Sequence, residues 1–329
     1  MIDRRSFAIG AGAALAAPAL QAQTPQNLQA LPNGPVRIVV GFPPGGGTDT
    51  LARVLAPKLQ EMWKLNVIVD NKAGAAGVLA AEHVAKQPGD GSTLLMAHIN
   101  SHAIAPALNP KLSYNPETDF SPLTLVGVTP NLLIGNTSQT ARTLPELIAA
   151  CKAQPGQVTF GSSGPASAQH LALELFKHRA KVFALHIPYR GSGPLITDLI
   201  GGQVQYSFET MTAATPHVKS GKVIAIAQTR PKRSKAYPDV PTVAEAGLPD
   251  FDATTWYGLA GPKGMPAVMV KRMSEDIQRA LALPDVQERL AQNGAEDGGG
   301  APERFAEFMR AERSKYSALV KAAGIKIDS

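Results

Sequence analysis

The stretch Val36-Arg37-Ile38-Val39-Val40-Gly41-Phe42-Pro43-Pro44-Gly45-Gly46-Gly47-Thr48-Asp49 decides the architecture. Its first five residues are short and β-branched and sit between Pro35 and Gly41, the signature of a buried strand. Paired prolines and three successive glycines then forbid regular structure from Phe42 to Gly47. Thr48 and Asp49 precede apolar residues at Leu51, Val54, Leu55 and Leu59, the spacing of a helix that starts on a polar cap. Pro57 lacks an amide hydrogen, so a kink is predicted within that helix. A strand followed by a glycine loop and a helix N-terminus collects unpaired N–H groups and the positive end of a helix dipole, which suits an anion.

Working outward, the strand signal recurs at 65–69 and 93–97 around a small-residue helix at 78–86, the βαβ pattern of a parallel sheet. A second series begins near Leu132, with strands predicted at 157–160, 182–187, 204–208 and 223–227 and helices at 144–153, 166–177, 194–200 and 213–220. Two α/β lobes follow. The last third is mostly helical, at 266–281, 286–293 and 302–323, and Trp256-Tyr257 reads as core or hinge. A second glycine loop, Gly161-Ser162-Ser163-Gly164, falls in the second lobe between a strand and a helix. Two lobes that each aim a helix N-terminus at one cleft would grip a carboxylate without an arginine.

Other chemistries fit less well. The first loop has no lysine for a phosphate-binding P-loop, and Thr50 stands where a dinucleotide fingerprint needs its third glycine. Pro165 occupies the place of the second glycine of a hydrolase elbow, so Ser162 and Ser163 read as hydroxyl donors. His98 and His102 are four apart, but His98 ends a strand and no acidic ligand lies between them, so no metal is assigned. His170 is equally a packing, capping or ligand-contact residue, while Asp49 and Glu209 read as an acid–base pair or as a helix cap and a surface group. A bulky residue at Gly46 or Gly164 is expected to block close backbone approach.

Residues 1–22 follow the plan of a secretory signal, with Arg4-Arg5 pointing to the twin-arginine route and an uncharged run of about 13 residues, short of the roughly 20 that span a bilayer. Cleavage near Ala22 predicts a soluble exported chain. The formal net charge of +6 is dispersed, and the basic cluster at 230–235 has no interleaved aromatics, which argues against nucleic acid. Cys151 is the only cysteine, so stability has to come from a sizeable core rather than a disulfide.

Several segments together resemble the Bug receptors, the extracytoplasmic binding proteins of tripartite tricarboxylate transporters. They are the run from Val39 to Asp49, then Val69-Asp70-Asn71-Lys72-Ala73-Gly74-Ala75-Ala76-Gly77, Asp90-Gly91-Ser92-Thr93-Leu94-Leu95 and Ile187-Pro188-Tyr189-Arg190-Gly191. Gly201-Gly202-Gln203-Val204, Val240-Pro241-Thr242-Val243-Ala244-Glu245-Ala246-Gly247 and Trp256-Tyr257-Gly258-Leu259 complete the set. Two departures stand out. The second segment has Ala73 and Ala76 within a pattern that usually reads Glu-Asn-Arg-Pro-Gly-Ala-Gly-Gly, and Ser92 replaces a usual tyrosine.

The resemblance implies a two-lobed periplasmic-binding-protein-like α/β fold with the ligand cleft between the lobes, one domain at 23–130 plus 253–329 and the other at 131–252. It places a ligand carboxylate against Phe42, Gly45, Gly46, Gly47, Thr48 and Asp49 on one side and Ser162, Ser163 and Gly164 on the other, with His170 beside them. His98, Asn100, Tyr189 and Glu209 are the candidates for the variable end that sets ligand choice. The expectation is a monomeric receptor in the periplasm of a Gram-negative bacterium. It would carry a small organic acid to membrane permease subunits, with no cofactor, no metal and no turnover. The alternatives are an exported hydrolase, a metal-dependent lyase, or a ligand sensor feeding a signalling system.

Overall fold

Ten strands form two separate five-stranded sheets, each sandwiched between helices, in a computed structural model that describes residues 30–323. The export signal read in residues 1–22 lies outside the described residues. Along the chain come β1 (Val36–Val40), α1 (Gly47–Trp63), β2 (Val67–Asn71), α2 (Val78–Ala85), β3 (Thr93–His98), α3 (Ala105–Leu108) and β4 (Phe120–Thr129). Next are β5 (Asn131–Asn136), α4 (Leu144–Ala153), β6 (Thr159–Ser162), α5 (Ala168–Ala180), β7 (Leu185–Pro188), α6 (Ser192–Ile200), β8 (Tyr206–Thr210), α7 (Met211–Lys219) and β9 (Val223–Gln228). The chain ends with β10 (Thr255–Pro262), α8 (Ala267–Leu281), α9 (Pro284–Gln292) and α10 (Pro302–Ala323).

The first sheet has the order β2-β1-β3-β10-β4 and the second β7-β6-β8-β5-β9. Each is mixed, where the βαβ reading predicted parallel strands. β1 runs parallel to β2 and β3, but β10 is antiparallel to β3 and β4, and β5 is antiparallel to β8 and β9. β5 and β10 are the first strands entered after each passage between the sheets. At the first passage only Pro130 separates β4 from β5.

Alternation along β1 shows how the core is divided. Val36, Ile38 and Val40 pack on the face covered by α1 and α8, while Val39 joins Leu95, Trp256 and Phe305 on the face covered by α2 and α10. Full burial of each such side chain contributes about 1.5–3 kcal/mol. Helix α1 buries Leu51, Val54, Leu55, Leu59 and Trp63 and continues through Pro57, where a kink was predicted, to a left-handed Lys64. Trp256 and Tyr257, read as core or hinge, lie in β10 and are fully buried.

The two chain passages are tied together by buried polar groups. Thr229 Oγ1 accepts from the Asn131 amide and donates to the Ala253 carbonyl, both at 2.9 Å. Asn131 Nδ2 donates to that same carbonyl at 2.9 Å, and Thr255 Oγ1 donates to Asn131 Oδ1 at 3.2 Å. No helix among the described residues is long and apolar enough to cross a membrane.

Candidate functional site

Loop 42–46 and the start of α1 meet the second lobe around a chamber of about 20 Å³. The first lobe supplies Phe42, Gly46, Gly47 and Thr48, with His98 and Tyr257 behind them; the second supplies Ser163, Gln169, Ser192, Gly193 and Thr210. Phe42, Pro43 and Ser163 also border a second, larger cavity of about 690 Å³.

The helix ends explain the polarity of the small chamber. Gly46 caps α1 and Gly191 caps α6 without a side chain bonded to either helix's first turn. Their leading amides therefore remain available to an anion. The second helix expected here was the one that follows Gly161-Ser162-Ser163-Gly164. That helix, α5, is already capped: Ser167 Oγ accepts from the His170 amide at 3.2 Å, and Asn100 Oδ1 reaches across from the first lobe to accept from the Ala168 amide at 2.9 Å.

The predicted site residues separate into those that face a cavity and those that stand behind it. Phe42, Gly46, Gly47, Thr48, His98 and Ser163 border the small chamber, and Gly164 and Tyr189 border the larger cavity. Asp49 instead organises its own loop, accepting from the Gly45 amide at 3.0 Å, from Arg53 and from Asn71 Nδ2. Burial alone would raise its carboxyl, but the bonds from Arg53, Gly45 and Asn71 together hold it below its ordinary value. Gly45 adopts φ 86°, a left-handed conformation suited to glycine, which aims its amide at Asp49.

Glu209, read as an acid–base group or as a surface group at a strand end, is not at the surface. It is fully buried, and its Oε1 accepts from Gln169 Nε2, Ser192 Oγ and both the amide and hydroxyl of Thr210. Those three residues border the small chamber, so Glu209 shapes its wall from behind. Burial raises its carboxyl pKa against the opposing pull of these bonds. Among the described residues its Oε2 and the Tyr257 hydroxyl are buried without a hydrogen-bond partner. His98 is held neutral, its pKa lowered to about 3 by burial and by His102, with its ring against Phe42 and Tyr257.

Strand β6 ends two residues later than predicted, which draws Gly161 and Ser162 into the sheet. Ser162 Oγ lies 2.6 Å from His186 Nε2 and accepts from the Gly164 amide at 3.2 Å, entirely buried. His186 stacks on His170 with ring centroids 4.1 Å apart, and burial, then His170, lower its pKa to about 4. The carboxylate of this cluster, Glu174, lies against Lys177 at 2.7 Å and His170 at 3.6 Å. It does not orient His186 as a nucleophile's base would require. His102 bonds Ser101 and packs on Phe120, and no group of three His, Cys, Asp or Glu among the described residues is placed to hold a metal.

Sequence reasoning missed Gln169, Ser192, Gly193, Thr210 and Tyr257 as chamber residues. Gly191-Ser192-Gly193 carried a signal, since it is a further glycine-bearing link from a strand to a helix N-terminus. Thr210 and Tyr257 carried none, because only strand pairing brings them to the cleft.

A family model described as Tripartite tricarboxylate transporter family receptor matches residues 51–325. Protein BugT of Bordetella pertussis is 37% identical over 304 residues, covering 92% of this chain and 93% of that protein. Rpa4515 of R. palustris, solved with adipate, aligns with a TM-score of 0.87 at 33% identity, covering 90% of this chain and 99% of that one. MatC of Rhodopseudomonas palustris, solved with bound malate, aligns with a TM-score of 0.82 at 33% identity, covering 88% and 100%.

Proposed function

This chain belongs to the tripartite tricarboxylate transporter receptor family, and from that premise we propose that it captures a small organic acid by a carboxylate held between the N-termini of α1 and α6. It is an extracytoplasmic solute-binding receptor of the Bug type with a two-lobed fold. The observation that carries the carboxylate seat is the pair of helix ends, on different lobes, that reach one polar chamber without side-chain caps. Around them the Thr48 hydroxyl supplies a further donor, while those of Ser163, Ser192 and Thr210 already donate to Gln169 and Glu209 and line the wall as acceptors. Related receptors solved with adipate and malate support an acid as the cargo.

The chamber of about 20 Å³ has room for about one water molecule, so a carboxylate enters only when the lobes part, and closure brings the helix ends onto it. We take the lobes as 23–130 with 253–329 and 131–252, a division that the membership of the two sheets supports. The further parts of the reading are a monomer in the periplasm of a Gram-negative bacterium that passes its acid to membrane permease subunits and performs no turnover. Membership of a family of receptors supports the last point.

Calorimetry and thermal unfolding with adipate, malate and citrate test the seat. Ligand at a hundred times its Kd adds about 2.7 kcal/mol, which at about 2–4 °C per kcal/mol raises the Tm by about 5–10 °C. No shift and no heat with any of these or a wider panel of organic acids would sink the reading.

A further inference from the structure

The cavity of about 690 Å³ beyond Phe42 and Ser163 falls within the roughly 300–1,000 Å³ of small-molecule sites, and both lobes build it. Only Asn109, Ser163, Tyr189 and Arg190 bring polar side-chain atoms to its lining. Ser163 Oγ donates to Gln169 at 2.8 Å, and Asn109 Oδ1 accepts from the Lys111 amide. Arg190 is exposed at the rim. What remains is a wall of alanine, glycine, proline, valine, leucine and phenylalanine, which apart from Asn109 Nδ2, Tyr189 and Arg190 brings no side-chain partner for a hydroxyl or a second acid group.

The wall is also kept at a conformational cost. Ala75 and Ala76 on one lobe and Ala166 on the other hold φ of 46°, 53° and 59°, where a side chain is disfavoured by roughly 1–2 kcal/mol per residue. Glycine would take these conformations without strain, but would leave the groove without three methyl groups. Strain of this kind persists where the surrounding structure uses it.

Building on the carboxylate seat argued above, we propose that this groove receives the apolar body of the acid, so that the receptor selects carboxylates bearing an aromatic ring or a methylene chain over short hydroxylated acids. Phe42, Pro43 and Ser163 border both spaces, so an acid whose head lies in the polar chamber directs its body along the groove. Burial of that body against the wall then adds affinity in proportion to its apolar surface.

Calorimetry on the full chain separates the possibilities with benzoate and hexanoate against malate and citrate. The proposal expects benzoate or hexanoate to bind at least tenfold more tightly than malate, with a negative heat-capacity change. Val78→Thr keeps the shape of the wall but adds a hydroxyl, and should weaken hexanoate about fivefold while malate changes less than twofold. Leu112→Asn, on another segment of the wall, should repeat the pattern, and the unchanged malate affinity reports that each variant is folded. Malate or citrate binding as tightly as the apolar acids, or variants that weaken all acids alike, would overturn the groove assignment and leave the carboxylate seat standing. Failure of all four acids to bind would remove the seat, and this inference with it.

Discussion

Replacing Gly47 with alanine should report closure of the lobes onto the α1 terminus. A Cβ at this position would lie 2.6 Å from the Tyr257 hydroxyl oxygen, 3.2 Å from Thr210 Oγ1 and 3.2 Å from Thr212 Cβ. Favourable contacts between carbon atoms fall near 3.5–4.0 Å, so the added methyl is forced into its neighbours. Tyr257 is fully buried against the His98 ring, while both threonines belong to the opposing lobe. Overpacking of this kind costs about 1–3 kcal/mol, and with the lobes apart the threonines no longer oppose the methyl. At 1.4 kcal/mol per factor of ten, the part of the penalty that the threonines impose only in the closed form, about 1 kcal/mol or more, raises Kd about fivefold or more. Alanine favours the helix over glycine by up to about 1 kcal/mol, but the Tyr257 contact lies within the same lobe and persists when the lobes part, so the Tm without ligand should hold or fall by a few degrees. Calorimetry with the acid that binds the unmodified chain best, beside a thermal melt, measures both. Gly34→Ala is the control, since its Cβ would meet nothing within 4 Å and it borders neither cavity, and its Kd should stay within twofold. A Kd within twofold for Gly47→Ala as well would refute closure onto the α1 terminus.

Four further outcomes follow from the polar groups. Glu209 has a pKa raised by burial, so its contribution to stability is present below the unfolded carboxyl value and declines as pH rises through the folded one; denaturant unfolding should show unmodified protein losing stability relative to Glu209→Gln as pH rises from about 4 toward neutrality, and parallel curves would contradict this. Glu209→Ala strips four bonds from Gln169, Ser192 and Thr210, each buried donor costing about 1–3 kcal/mol, and should lower the Tm by many degrees where the glutamine variant does not. The depressed pKa values of His98, His102 and His186, two near 3 and one near 4, contribute stability above the unfolded value of about 6.5 that is lost as pH falls toward them; urea midpoints should drop between pH 7 and pH 4.5, and a flat profile would count against burial of the neutral rings. Asp49→Ala should weaken acid binding at least tenfold by freeing the Gly45 amide and loop 42–46, with hydrogen exchange at that loop as the check that the loss acts through backbone order.

Local signals marked much of the fold. Helix α4 was read at its observed bounds because Thr143 and Glu146 form a reciprocal cap at its start, and α10 because its apolar spacing persists for six turns. Strands β4 and β10 escaped notice for a physical reason. β4 contains Pro122 and Gly127, and the β4–β10 pairing shifts register twice, so neither strand shows clean alternation. The antiparallel course of β5 and β10 comes from the chain passing between lobes, which no local pattern records. In the site, the 42–49 loop was legible because its glycines and the following helix are contiguous. Asp49 and Glu209 were legible as unusual polar residues, but their positions behind the wall depend on packing. The α6 terminus was hidden by Pro194, which looked like a helix start although the helix begins at Ser192.

The place of β10 in the first sheet also governs the order in which the molecule can be built. It lies between β3 and β4, yet it enters the chain only after the whole of the second sheet has been made. As the polypeptide emerges from the ribosome, the second lobe can complete its own sheet while the first is still missing a central strand, with β3 and β4 left unpaired on the sides they will share. Closing so distant a pairing is slow, and an open edge of this kind invites wrong partners until it is filled. The first lobe is therefore the late-folding half, and the interval before β10 docks is when the nascent chain most needs protection.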